Sequence, residues 1–326
     1  MRIIFFGTPF FAANNLEFLY KNNIDIVSII SAPDKEKGRG KKITPTHVKL
    51  KGLSLGIDVL CPESLKDKKF LNTLKSYNAD LFVVVAFRFL PKEIWKIPKM
   101  GTINLHTSLL PNYRGAAPIN RVLINGENKT GITTFNINEK IDCGEILLQE
   151  EIKLTKNTTA AELHNILMEK GSKLLLKTIN AIKENNISPV MQVDSISAIE
   201  APKLTTSLTK INWHKSAQEI HNLVRGLSPV LSNNEILKDI SICPSAWFLF
   251  HNSENKEIRT KLLLSEYSAE TNHKPLSLET DNKSYLKINL ENGSLYIKKL
   301  QVAGKKTVTI SQFLAGNKIN KKWTVS

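Results

Sequence analysis

Cysteine is scarce in this sequence, and the three cysteines, at positions 61, 143 and 243, are far apart. No pair has the C-x-x-C spacing of a zinc or dithiol site, and an odd number cannot pair completely. The pattern argues against a disulfide-stabilised secreted scaffold and predicts a protein of the reducing cytoplasm. Cys143 follows Asp142 directly, and we interpret it as a small packing residue.

Long apolar runs are also missing. A membrane-spanning helix needs about 20 apolar residues, and no stretch approaches that length. The stretch Arg2-Ile-Ile-Phe-Phe6 is followed by Gly7 and Pro9, and its apolar run is too short for a signal peptide. The dinucleotide fingerprint G-x-G-x-x-G does not follow this first strand, so a nicotinamide cofactor is not expected.

Acidic residues are outnumbered: 30 Asp and Glu stand against 45 Lys and Arg, which gives a net charge of +15. This excess indicates an anionic partner, most often nucleic acid or else a membrane surface, although a generally lysine-rich composition would look the same. Residues 31–51 hold seven basic and two acidic residues. Within them, Arg39 lies between two glycines and is followed by Lys41 and Lys42. A long charged loop inside a compact α/β unit is usually functional.

The pattern of elements predicts two domains, as 326 residues with 41% hydrophobic content allow. Residues 2–6, 10–21 and 25–30 are predicted to form a strand, a helix and a strand, the entry to a doubly wound, mostly parallel α/β sheet. Residues 80–86 form a predicted central strand, in which every residue after Asp80 is apolar, as a parallel strand buried on both faces requires. Beyond residue 207, short strands at regular spacing predict a small β-barrel, with strands at residues 246–251, 261–267, 285–289, 294–302 and 307–311. The predicted division is a catalytic domain, a linker and a C-terminal domain, covering residues 1–188, 189–206 and 207–326.

Polar side chains cluster at the end of the strand that begins near residue 102. Asn104 and His106 are two apart, so both project to one face of a strand. Asn can donate a hydrogen bond to a developing oxyanion, and His can move a proton near neutral pH. A lone His at a strand end is more often structural. Asp142, in an Ile-Asp-x-Gly turn after a second strand, favours catalysis because it could orient and charge His106.

These residues carry a family resemblance. Asn104-x-His106, followed by Ser108-Leu-Leu-Pro111, Arg114-Gly115 and the Asp142 turn, resembles the formyltransferases that use 10-formyltetrahydrofolate, and within them those acting on methionyl-tRNA. The resemblance implies a Rossmann-like catalytic domain, a C-terminal OB-like barrel that binds tRNA, and 10-formyltetrahydrofolate as co-substrate without metal or nicotinamide. It also implies a monomer whose partner is initiator methionyl-tRNA and whose product serves translation initiation.

The same resemblance assigns roles to individual residues. Asn104, His106 and Asp142 would be catalytic. Asn104 would stabilise an oxyanion, with His106 either as its partner in that task or as the proton shuttle. Asp142 would set the state of His106 and help relay the amine proton, and the division of these roles stays open. The basic loop, through Arg39, Lys41 and Lys42, would hold the tRNA acceptor arm. The folate would bind two loops, formed by Ser108, Leu109, Leu110 and Pro111 and by Ala86, Phe87, Arg88, Phe89 and Leu90. The role of the Arg88 side chain stays open, and core packing is the plainer explanation for Phe87 and Phe89.

Other functions fit the sequence less well. A formyltransferase acting on an amino-sugar nucleotide would share the core motif but lacks the basic loop, and one acting on glycinamide ribonucleotide lacks a second domain. A non-catalytic RNA-binding protein would leave Asn104, His106 and Asp142 without a task. A serine hydrolase through Ser108 would need a G-x-S-x-G elbow. His106 and Asp142 are two possible metal ligands, and the sequence contains no third ligand at a plausible spacing.

Overall fold

The computed structural model contains two compact units, and a seven-stranded sheet forms the centre of the first. The structure describes residues 1–37, 42–193, 198–237, 242–270 and 274–326. The first unit comprises residues 1–115, 130–152 and 165–200, and the second comprises 116–129, 153–164 and 201–326. Each unit is therefore assembled from separate stretches of the chain.

The strands of the first sheet lie in the order β5-β2-β1-β6-β7-β8-β9. Their bounds are Ile3–Gly7 (β1), Ile26–Ile30 (β2), Val59–Leu60 (β5), Leu81–Val85 (β6), Thr102–His106 (β7), Lys129–Asn136 (β8) and Ile146–Lys153 (β9). The pairs β5-β2, β2-β1, β1-β6 and β6-β7 are parallel, and β7-β8 is antiparallel. The predicted doubly wound, mostly parallel sheet is confirmed.

The first three helices follow the strands in the alternating order that parallel pairing requires. Their bounds are Phe10–Lys21 (α1), His47–Ser54 (α2) and Lys68–Ser76 (α3), and the short helix Lys92–Trp95 (α4) was not predicted. The next helices along the chain are Pro118–Ile124 (α5) and the long helix Ala160–Lys183 (α6). Strands β1 and β6 are buried at every position, because helices cover both faces of a parallel sheet.

The predicted basic loop contains a two-stranded hairpin. Strands Lys35–Lys37 (β3) and Lys42–Thr44 (β4) pair antiparallel. The prediction of a loop across residues 32–49 missed this hairpin, because three-residue strands give no readable alternation. Arg39 and Lys41 lie outside the described residues, and the side chain of Lys42 is not described either.

The second unit contains an antiparallel sheet in the order β12-β13-β14-β11-β10-β16, with β15 paired to β14. Its strands are Ala246–His251 (β10), Glu257–Ser268 (β11), Leu278–Thr280 (β12), Leu286–Leu290 (β13), Gly293–Val302 (β14), Val308–Thr309 (β15) and Thr324–Val325 (β16). The helices are Ala217–Leu227 (α7) and Ile310–Ala315 (α8), with a 3₁₀ turn at Ser207–Thr209. This nearly closed sheet confirms the predicted barrel.

Aromatic packing fills the inside of this barrel-like sheet. Phe250 is fully buried, and its ring centroid lies 4.7 Å from that of Phe248, 5.8 Å from that of Phe313 and 5.7 Å from that of Trp323.

The predicted strand at 307–311 was wrong in its second half, because the strand covers only Val308–Thr309. Thr309 and Gln312 form a capping box instead, so helix α8 begins at Ile310. Among the described residues, no helix is long and apolar enough to cross a membrane.

Candidate active site

The site lies at the carboxyl end of β7, where an open α/β sheet places its ligands. Asn104 pairs with Val84 of β6 and with Phe135 of β8, and His106 pairs with Thr133 of β8. Asn104 and His106 therefore share one face of a central strand, as predicted. The Asn104 amide is half-buried and has no hydrogen-bond partner among the residues that the structure describes.

His106 is held between two loops. Its Nε2 hydrogen bonds the carbonyl oxygen of Tyr113 at 2.8 Å. Since a carbonyl oxygen can only accept, Nε2 carries the proton, and Nδ1 is the nitrogen left for proton exchange. The Oδ2 atom of Asp142 lies 3.7 Å from Nδ1, longer than a hydrogen bond but within reach of a small shift. His106 and Asp142 are both largely buried, with 7% and 13% of their side chains exposed.

Asp142 is oriented by its own backbone turn. Its φ of +53° lies in the left-handed region, which Asp tolerates better than most residues. The same Oδ2 that faces His106 accepts a hydrogen bond from the backbone N–H of Gly115 at 2.8 Å. Gly144 closes the turn against β8, because a Cβ there would lie 1.6 Å from the carbonyl oxygen of Asn136. The turn thus brings the Asp142 carboxylate to the side of the sheet where His106 lies.

Hydrogen bonds from the side chains of Thr133 and Gln149 hold the segment Ser108–Pro111. Thr133 Oγ1 donates to the carbonyl of Ser108 at 2.7 Å and accepts from the backbone N–H of Leu110 at 3.2 Å. Gln149 Nε2 donates both to Thr133 Oγ1 and to the Leu110 carbonyl, each at 2.9 Å. Ser108 is itself fully buried and donates to the Asn112 carbonyl, and Leu110 is buried while Leu109 and Pro111 are partly exposed.

The second predicted binding loop, residues 86–90, divides into packed and exposed side chains. Phe87 packs against Phe6 with ring centroids 5.6 Å apart, and Leu90 is buried in the same cluster. The Phe89 side chain is 62% exposed, and Ala86 has a φ of +48°. A non-glycine residue in this region is strained and often marks a functional site.

Arg88 in this loop is half-buried and points back to residues 62 and 63. Its guanidinium donates to the carbonyls of Pro62 and Glu63. The Nε atom is buried without a hydrogen-bond partner within the described residues. The exposed Phe89 ring fits a loop that binds a flat heterocycle, because it offers a stacking surface. The Arg88 guanidinium lies 5.6 Å from the ring centroid of Phe87.

Sequence reasoning missed the residues that hold the segment Ser108–Pro111 and the Asp142 turn in place. Thr133 and Gln149 lie on β8 and β9 and anchor Ser108–Pro111. Gln192, after α6, hydrogen bonds Arg114 and the carbonyls of Asp142 and Gly144. None belongs to a local motif, so only their hydrogen bonds across the fold reveal them. Within the described ranges, no three His, Cys, Asp or Glu side chains come together in a way that could hold a metal ion.

The second unit offers a different surface, in which cations surround an aromatic ring. The guanidinium of Arg259 lies 3.9 Å from the ring centroid of Trp247, and the Lys210 ammonium lies at 5.8 Å. Residues 207–326 carry 17 basic and 10 acidic residues, so this surface belongs to a positively charged segment. Cations beside a partly exposed aromatic ring suit a nucleic-acid backbone and its bases.

Two family models cover most of the chain. The model described as formyl transferase matches residues 1–179, and the model described as formyl transferase, C-terminal domain, matches residues 203–318. The chain belongs to the formyltransferase family. The two models follow each other along the chain in the same order as the predicted catalytic and C-terminal domains.

Individual formyltransferases are similar along the whole length. A methionyl-tRNA formyltransferase of Flavobacterium johnsoniae is 42% identical over 316 residues, which cover 97% of this chain and 96% of that protein. One from Clostridioides difficile is 40% identical over 321 residues, 98% of each chain. Among solved structures, the fold resembles that of an N-formyltransferase of Helicobacter canadensis, with a TM-score of 0.61 and 21% identity over 90% of this chain and 98% of that chain.

Replacing Thr133 by Val should destabilise this formyltransferase by about 2–3 kcal/mol. The substitution keeps the shape but leaves a buried N–H and a buried carbonyl without their partner. Thr130→Val is the matched control, because the Thr130 hydroxyl on the same strand is buried and has no partner among the described residues. Chemical denaturation of both variants measures the difference. Equal effects of the two substitutions would contradict the role given to Thr133.

Proposed function

We infer that this formyltransferase transfers the formyl group of 10-formyltetrahydrofolate to the amino group of methionine on initiator methionyl-tRNA. The observation that carries the inference is identity of 36–42% with methionyl-tRNA formyltransferases over nearly the full length of both chains. The sugar N-formyltransferase structures share the fold at about half that identity, 21–22%. The product would supply translation initiation in the cytoplasm.

We propose catalytic roles for Asn104, His106 and Asp142, which the geometry of the site supports. The amine nitrogen attacks the formyl carbon, the new C–N bond forms, and the bond to N10 of the folate breaks. Asn104, whose amide is unpaired within the described residues, would donate to the oxygen that becomes negative. His106, with Nδ1 facing the Asp142 carboxylate, would accept the proton that the amine loses and return one to the leaving nitrogen.

The two loops at this end of the sheet are the proposed folate site. Ser108, Leu109, Leu110 and Pro111 would form one wall, with Ala86, Phe87, Arg88, Phe89 and Leu90 as the other. Exposed Phe89 and the orphaned Arg88 Nε support this placement, and packing against Phe6 limits Phe87 to a supporting role.

For the nucleic acid, we propose contact through Arg39, Lys41 and Lys42 and through the C-terminal segment. The proposed division is a catalytic domain over residues 1–188, a linker over 189–206 and a tRNA-binding domain over 207–326. We also propose that the protein acts as a monomer without a metal or a nicotinamide.

The purified protein should formylate charged initiator tRNA when given only 10-formyltetrahydrofolate. Transfer of a labelled formyl group, measured on the deacylated methionine, tests this directly. A parallel reaction with an amino-sugar nucleotide serves as the competing acceptor. Efficient transfer to the sugar and none to methionyl-tRNA would overturn the proposed substrate.

Substitution of Asn104, His106 or Asp142 by Ala should each lower kcat by about 10²–10⁴-fold, the usual size for one oxyanion or acid–base group. Combined variants should lose less than the product of the single losses, because the groups act together. Asp142→Asn keeps an acceptor for the Gly115 N–H but removes the charge, so it separates proton handling from turn geometry. His214→Ala, at an exposed histidine, is the control. Near-normal kcat in Asp142→Asn would remove its charge from the mechanism.

Replacing Arg39, Lys41 and Lys42 together by Ala should raise KM for methionyl-tRNA far more than KM for the folate. Each phosphate contact contributes a log–log salt slope of about −0.7 to −0.9, so the variant should also bind tRNA with a flatter salt dependence. It should discriminate less between initiator and elongator tRNA. The control is the triple variant Lys66, Lys68 and Lys69 to Ala, which removes the same charge from exposed positions. Identical tRNA kinetics in the two variants would contradict a role for the loop.

A further inference from the structure

Gln192 uses both ends of its side-chain amide to join two loops of the active site. Its Oε1 accepts hydrogen bonds from Arg114 Nε at 3.1 Å and Nη2 at 2.7 Å. Its Nε2 donates to the carbonyl of Asp142 at 2.9 Å and to that of Gly144 at 2.7 Å. The side chain is half-buried, although it belongs to the segment predicted as a linker.

One end of this bridge holds a backbone that would not keep its shape alone. Asp142 lies in the left-handed region at a φ of +53°, and such residues persist only where their surroundings fix them. Gln192 binds the carbonyl of Asp142 and the carbonyl two residues later, so it fixes both sides of the turn. A change of φ or ψ there would swing the Asp142 carboxylate away from His106 Nδ1.

The other end holds the loop that contacts the same two catalytic groups. Arg114 lies between Tyr113, whose carbonyl accepts from His106 Nε2, and Gly115, whose N–H donates to Asp142 Oδ2. The segment that carries Gln192 also contacts this loop further on, because the Tyr113 N–H donates to the carbonyl of Ile199. By binding Arg114, Gln192 therefore fixes the position of the Tyr113 carbonyl and of the Gly115 N–H relative to the Asp142 turn.

We propose that Gln192 is a positioning residue for formyl transfer, which acts by holding Asp142 Oδ2 toward His106 Nδ1. The inference rests on the function proposed above. It makes Gln192 a contributor to kcat and leaves binding of the formyl donor to the loops at residues 86–90 and 108–111. A residue that only tied the linker down would change stability, and would leave kcat per folded molecule unchanged.

Two substitutions at this position separate the donor from the acceptor. Gln192→Ala removes both, whereas Gln192→Glu keeps an acceptor for Arg114 and places an ionised oxygen against two carbonyls that need a donor. We expect both variants to lower kcat for formylation by at least about tenfold, with KM for methionyl-tRNA within about twofold of the parent. Folinic acid, used as an unreactive folate probe, should bind all variants with Kd within about twofold.

Met191→Ala is the control, because this neighbouring side chain is 76% exposed and its loss leaves the bridge intact. Thermal unfolding of each variant gives the folded fraction for which kcat is corrected. Corrected kcat of Gln192→Ala or Gln192→Glu within twofold of the parent would overturn the inference, as would a tenfold loss in Met191→Ala. A parent chain that does not formylate methionyl-tRNA would overturn the proposed function as well, so the two failures are distinguishable.

Discussion

The candidate active site depends on a left-handed turn between β8 and β9 that points one carboxylate oxygen at one imidazole nitrogen. β8 runs antiparallel to β7 and ends opposite the start of that strand, because Asn136 pairs with Ile103. The connection after β8 therefore starts near the amino end of β7, and it brings Asp142 back to within 3.7 Å of the His106 ring. Asp142 Oδ2 is then shared between the Gly115 N–H and the approach to His106 Nδ1. The geometry of this turn is therefore what turns an ordinary ligand-binding edge into a candidate proton-transfer site.

Most of the other hydrogen bonds at this edge serve to keep the loops rigid. Thr133 lies opposite His106 on β8 and fixes Ser108 and Leu110. Gln192 performs the same task for Arg114 and the Asp142 turn. The side chains of Thr133 and Gln192 are buried or half-buried and are hydrogen-bonded to backbone and side-chain partners, whereas the Asn104 amide is unpaired within the described ranges. The contrast suits a site where binding and catalytic groups must be pre-positioned before the substrate arrives.

Where the sequence pattern was long and periodic, it predicted the elements well. Helix α1 and strand β10 have the predicted bounds, and the central strand β6 differs by one residue at each end. Short elements were missed: the β3-β4 hairpin, helix α4, and strands β12 and β16 are too brief to show a period. The strand predicted to end at Ser311 failed for another reason. Thr309 and Gln312 satisfy each other's backbone groups in a capping box, and this local chemistry outweighs the apolar pattern.

The sequence by itself determined the fold class, the family and the candidate groups Asn104, His106 and Asp142, because these depend on local periodicity and on a motif with fixed spacing. Only the tertiary structure decided that Nδ1 of His106 faces Asp142, that Thr133 holds the loop after β7, and that Gln192 bridges Arg114 to the Asp142 turn. The physical reason is the distance along the chain. A hydrogen bond between residues 50 or 78 positions apart leaves no periodic signal in the sequence, because only the folding of the intervening segments brings the two residues together.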